Sequence, residues 1–227
     1  MAFDERDEEL TFSKKMNAFL EKNRKVVLGI SGALLLAVIA FVVVEVVLSK
    51  TATKNLAAVD ALSFELTDGS GALEEAELAS RRDSVLEKLV PYTKKGGVAG
   101  VRANMLAAEI EYQKKNYEEA LGYWENAANK GKKAYTASLA YYNQGVCLEM
   151  LNRLDEAAEV YELASLDEEF LLRSHALFSY GRVLEATGKY KEAVEAYQKL
   201  NDEYPDESWT NLAKTRILEL KIEGKVE

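Results

Sequence analysis

The sequence predicts an all-α protein: a transmembrane-length apolar helix near the N-terminus, then a solenoid of helical hairpins closed by a capping helix. Three observations carry this. Ala, Leu, Glu and Lys dominate a chain of 227 residues that holds only two prolines, a helical composition. Val26–Leu48 is a run of 23 residues with one charge, Glu45. Finally, Lys114–Ala127, Leu151–Ala164 and Ala186–Asp206 share one rhythm: an aromatic or leucine three residues before an alanine, and an aromatic four residues after it.

Residues 1–25 read as a cytoplasmic tail. Its acidic stretch, "DERDEEL", lacks the apolar residues that fold a segment and is expected to be disordered. Phe12, Met16, Phe19 and Leu20 then recur at helical spacing with lysines on the other side. That pattern suits an interfacial amphipathic turn and a solvated helical lead-in about equally.

Residues 26–48 read as the span. At helical rise they reach about 34 Å, enough for a hydrocarbon core of about 30 Å. The run is too long for a cleaved signal's apolar core, so it is expected to stay as a signal anchor. Lys14, Lys15, Lys22, Arg24 and Lys25 precede it, against Lys50 and Lys54 after it. This bias puts the N-terminus in the cytoplasm and residues 49–227 outside, in a periplasm where the cell has one. Glu45, three residues from the outer end, reads as a carboxylate reaching the headgroups rather than a partner contact. Gly29, Ala33 and Ala37 form a small ridge of the kind that packs against other spans.

Residues 49–95 read as a helical linker and a degenerate first pair, Thr53–Leu66 and Ala72–Pro91, joined by "TDGSG". "PYTKKGGVAG" is the expected hinge, because Gly96, Gly97 and Gly100 interrupt the pattern. Residues 96–206 hold the three repeats. Aligned on Ala120, Ala157 and Ala193, they step by 37 and 36 residues, with Ala108, Gly145 and Gly181 upstream in register. A period in the thirties marks stacked helix pairs, and small residues mark where paired helices cross. Tyr117, Trp124, Tyr161, Tyr190 and Tyr197 are expected to fill the wedges between units. Asn116 with Glu119 resembles a capping box, and Gly188 suits a left-handed helix end. Residues 207–227 are a final helix and tail, with Trp209, Leu212, Ile217 and Leu220 expected to cover the last repeat.

These residues resemble the tetratricopeptide repeat. Leu177, Tyr180, Gly181, Leu184, Gly188, Tyr190, Ala193, Tyr197 and Pro205 sit at its signature places. The second unit keeps Tyr141, Gly145, Leu148, Leu154, Ala157 and Tyr161 without the closing proline. The first keeps Tyr117, Ala120, Trp124 and Ala127, with Glu111 where an apolar residue is usual. The resemblance implies a concave groove, lined by the first helix of each pair, that takes protein or peptide partners. By register its members include Met105, Tyr112, Leu139, Tyr142, Val146, Met150, His175, Phe178 and Arg182. The Lys/Asn clamp of some relatives is missing, since Met105, Tyr142 and Phe178 stand where its lysine would be. An alternative is that the terminal helix folds back over these residues.

The tail with "FLEKNRK", one span and an outer repeat domain is also similar to the YfgM-like ancillary subunits of the SecYEG translocon. That likeness implies a non-enzymatic adaptor meeting emerging polypeptides or chaperones, with a scaffold for envelope assembly or division as the rival. Composition narrows the field. A net charge of −9 gives no basic field for nucleic acid. One cysteine, Cys147, permits neither an intrachain disulfide nor a cysteine zinc site, and His175 is the only histidine. With no phosphate loop or nucleophile elbow either, no enzyme activity, cofactor or metal is expected.

Overall fold

The computed structural model describes residues 5–131 and 136–227, with side chains from Phe12 onward. The helices are α1 (Glu5–Lys22), α2 (Arg24–Thr67), α3 (Glu75–Thr93), α4 (Gly97–Gln113), α5 (Tyr117–Lys130), α6 (Thr136–Met150), α7 (Leu154–Ser165), α8 (Arg173–Ala186), α9 (Tyr190–Glu203) and α10 (Ser208–Ile222). A short 3₁₀ turn, Ser70–Ala72, precedes α3, and no strand occurs among the described residues. The chain divides into two units, residues 1–51 and 52–227.

In the first unit α1 begins at Glu5, so the acidic stretch expected to be disordered is helical from there; Asp4 lies outside the described residues. Asn23 separates α1 from α2, its amide donating to the Phe19 carbonyl at 3.0 Å. The large apolar side chains of Val26–Leu48 are 47–67% exposed, so no protein surface covers them. The chain has one helix long and apolar enough to cross a membrane. α2 runs on to Thr67 without a break after the apolar stretch.

The second unit is the solenoid. Val59 and Leu62 of α2, Val85 and Leu89 of α3, and Ala103, Leu106 and Ile110 of α4 form its first core. The main core continues through α10. Each pair is built around one contact. An ideal Cβ on Gly145 would lie 2.6 Å from the Tyr161 ring, and one on Gly181 would lie 2.5 Å from the Tyr197 ring. The ring occupies the space that a side chain on the first helix would fill. Ala157 and Ala193 are fully buried. Tyr161 and Tyr197 therefore close their own hairpins rather than filling wedges between units. In the first unit Ala108 and Trp124, both buried, take the corresponding places.

The turn inside each hairpin is the same three times. Lys115, Asn152 and Gly188 have φ of 65°, 57° and 80°. The residue after each donates its N–H back to the carbonyl of Glu111, Leu148 or Leu184 at 2.8–2.9 Å. That closure satisfies the last helical carbonyls. Asn116 makes no side-chain cap. Its amide donates instead to Glu111 Oε2 at 2.7 Å, which explains how a carboxylate is tolerated in the first unit's core.

The expected hinge is a tight, tied turn. Only residues 94–96 separate α3 from α4, and Gly97 supplies a φ of 64°. A Cβ on Gly100 would run into the Lys95 carbonyl. Asn104 donates to the Thr93 carbonyl at 2.8 Å, and Lys130 to the Lys95 carbonyl at 3.0 Å. The glycines here serve close approach and not flexibility.

Opposite signs are expected for one chemical change at two glycines. Nothing lies within 4 Å of a Cβ on Gly122 in α5, so Gly122→Ala should stabilise the solenoid by up to about 1 kcal/mol. Gly145→Ala gains the same propensity but forces the Tyr161 ring away, at about 1–3 kcal/mol, and the clash should win. Chemical denaturation of the full chain in detergent, followed by circular dichroism, checks both.

Candidate functional site

Helical register turns one face of α4, α6 and α8 toward the inside of the solenoid, and the structure shows how much of that face is open. It is closed at the C-terminal end. The Trp209 indole of α10 stacks on the His175 ring with centroids 3.9 Å apart and planes at 11°, and lies 5.2 Å from Phe178. Tyr142 meets His175 at 5.0 Å between centroids, and its hydroxyl is 3.1 Å from the imidazole. Leu139 packs beside Phe170 and Ala176. Of the groove residues expected from register, Tyr142, His175 and Phe178 are thus part of an aromatic stack that the terminal helix caps. Leu212, expected to help cover the last repeat, is 49% exposed instead. Ile217 and Leu220 do pack inward.

Polar bonding also recurs unit by unit. Tyr161 Oη donates to Glu149 Oε1 at 2.7 Å, and Arg182 Nη2 donates to the same oxygen at 2.6 Å. One unit on, Tyr197 Oη donates to Glu185 Oε2 at 3.2 Å, and Arg216 of α10 donates to both Glu185 oxygens. Burial and the neighbouring carboxylate hold both phenols above their ordinary value. Glu149 and Arg182 are therefore occupied with each other. Burial likewise pushes the Cys147 thiol up to about 12, so it is a packing residue with little thiolate. Burial first, then Arg182, lowers the His175 pKa.

The first unit breaks this pattern. Trp124 has no hydroxyl to donate, and Gln113 stands where Glu149 and Glu185 stand later. Gln113 accepts from Arg82 Nε at 2.9 Å. What remains is open. A cleft of about 210 Å³ is lined by Glu109, Tyr112, Gln113, Trp124, Asn143 and Val146. Two further clefts, of about 160 and 290 Å³, run along α4 toward α2 and α3. Glu109 lines all three, and Met105 lines the smaller of these two. Glu109 is exposed at the surface, yet surrounding protein crowds its carboxyl enough to raise its pKa. Met150 is exposed at the end of α6. Register alone named Met105, Tyr112 and Val146. It missed that Glu109 is the one concave carboxylate left without a partner among the described residues, and it missed the Trp209 cap.

Comparison with known proteins agrees with this architecture. Tetratricopeptide repeat family models match residues 132–168 and 175–207. A TPR repeat-containing protein of Treponema pallidum (strain Nichols) is 28% identical over 152 residues, 66% of this chain and 64% of that protein. Another from Methanocaldococcus jannaschii is 32% identical over 103 residues, 42% of this chain and 30% of that one. The chain spans less than two thirds of either relative. Among solved structures, TPR-like repeats of a Podosopora anserina putative kinesin light chain superpose with a TM-score of 0.52 at 12% identity, covering 69% of this chain and 80% of that one. The apo form of RapI gives 0.52 at 17% identity, covering 75% and 62%. At such identities both show the fold alone. The chain carries tetratricopeptide repeats, which make it a protein-interaction module.

The cap makes a measurable prediction. Trp209→Ala should cost about 2 kcal/mol, less than for a fully buried aromatic, and should move the His175 pKa up toward its ordinary value in an NMR titration. The sign for wild type follows from the lowered pKa. Below about pH 6.5 the unfolded chain binds the proton more readily. Stability contributed by neutral His175 is thus complete above that pH and is lost as pH falls toward the folded value. His175→Gln should remove this component, as read from denaturation midpoints across pH.

Proposed function

We propose that this chain is a membrane-anchored, non-enzymatic interaction module. In this reading the apolar part of α2 crosses the inner membrane with the N-terminus in the cytoplasm. The repeat unit stands outside the cytoplasm and holds a polypeptide against the inner face of α4 and α6. The observation that carries the reading is the open run of clefts around Glu109, with Tyr112 and Val146 on one side and Met105 on the other. Exposed apolar side chains beside hydrogen-bonding groups suit a polypeptide better than a small charged ligand. Leu139, Met150 and Arg182 extend the surface along α6 and α8, while Tyr142, His175 and Phe178 support it from beneath the Trp209 cap.

The anchor rests on the uncovered surface of Val26–Leu48, which water does not tolerate and a bilayer does. Its direction rests on the excess of Lys and Arg before the span. The finer assignment, an ancillary factor of the Sec translocon or of extracytoplasmic chaperones, rests on the resemblance of "FLEKNRK" and the single-span plan to YfgM-like subunits.

A photo-reactive residue at Val146 in intact membranes tests the site and names the partner together. Translocon subunits, chaperones or emerging polypeptides should be captured there and not from Glu195 on α9. Equal capture from both positions would remove the concave face from the mechanism. Alkylation of single cysteines placed at Lys15 and Lys225, in a Cys147→Ser chain, should label only the second from outside the inner membrane.

A further inference from the structure

The charges around the open clefts are balanced except one. Arg102, at the rim of the smallest, is ion-paired with Asp60 at 2.7 Å. Arg82, at the rim of the largest, is paired with Glu75 at 2.7 Å and also donates to Gln113. Further along, Glu149 is held by Arg182 and Glu185 by Arg216. Glu109 has neither a cation nor a hydrogen-bond donor among the described residues, and it sits where all three clefts meet. The remaining polar group of the cleft points the same way chemically. Asn143 spends an amide hydrogen on the Leu139 carbonyl at 2.8 Å, which leaves its oxygen as an acceptor. An anionic segment would meet an uncompensated carboxylate here, and a purely apolar one would desolvate it for nothing.

We infer that the occupant of this groove is a polypeptide segment with a lysine or arginine directly beside an apolar side chain. The cation pairs with Glu109, and the apolar neighbour lies against Tyr112 and Val146. The inference rests on the proposed reading of the concave face as a partner site, and it adds the chemistry of the partner. Crowding around the Glu109 carboxyl has the same physical origin: protein has displaced part of its water without supplying a counter-charge, and the partner supplies it. The solenoid answers this need itself in its later units, where an arginine from the following helix plays that part.

The test uses short random peptides displayed on phage and selected in parallel on the detergent-solubilised full chain and on three variants. The wild type should enrich peptides with Lys or Arg beside an apolar residue by about fivefold, the upper range for a partly solvated ion pair. Glu109→Gln should lose that enrichment, and Glu109→Lys should favour Asp or Glu at the same place. Glu119→Gln, which removes an equal charge from exposed α5, should behave as wild type. Circular dichroism confirms that each variant folds. Equal enrichment on wild type and Glu109→Gln, or loss of enrichment on Glu119→Gln as well, would overturn the inference while leaving the groove as a binding surface. Failure to select any peptide that competes with Val146 cross-linking would remove the groove reading along with it.

Discussion

A phenol ring pressed onto a glycine is the contact on which the solenoid depends. Gly145 under Tyr161 and Gly181 under Tyr197 set how closely the two helices of a hairpin approach. The ring lends its apolar face to the hairpin and keeps its hydroxyl for a neighbour. Because that hydroxyl reaches Glu149 or Glu185, and each carboxylate reaches an arginine of the next helix, one close approach fixes the hairpin and also its register against the following unit. Nearest-neighbour coupling of this kind is how a repeat that cannot bury its own apolar face becomes stable in an array. α10 completes the series by supplying Arg216 and Trp209 in place of a further hairpin.

Much of this was legible because it repeats. The alanines at 120, 157 and 193 and the small residues at 108, 145 and 181 announce the crossings by spacing alone. Left-handed turn ends were legible at Gly188 by residue type, but at Lys115 and Asn152 only by register, since neither residue advertises a positive φ. Composition misled where a residue type has two physical uses. Glycines at 96, 97 and 100 look like a hinge, yet Gly100 is there because the Lys95 carbonyl comes too close for a side chain. The acidic N-terminal stretch lacks apolar residues, but its carboxylates stand in the first turns of a helix, where the macrodipole favours them.

The functional surface was the least legible part, for a tertiary reason. Register places Met105, Tyr142 and Phe178 as equivalents on one face. The structure makes them unequal, because Trp209 arrives from outside the repeats and stacks over His175 and Phe178. No local pattern encodes which exposed aromatic a terminal helix will cover. Glu149 and Glu185 looked like repeated surface carboxylates. They are repeated because each is half of a pair whose other half lies in the next unit.

Departure from the repeat is therefore the informative signal in this chain. Where the Tyr–Glu–Arg bonding is intact, the groove's polar groups are satisfied internally and gain little from a partner. Where the first unit has Trp124 and Gln113 instead, no arginine is recruited, and Glu109 one turn earlier keeps its charge uncompensated beside Tyr112 and Val146. A solenoid with every unit alike would present a uniform face and weak specificity. This one is closed by aromatic stacking at one end and left one cation short at the other. That asymmetry confines recognition to the cleft between α4 and α6 and sets the sign of the charge it accepts.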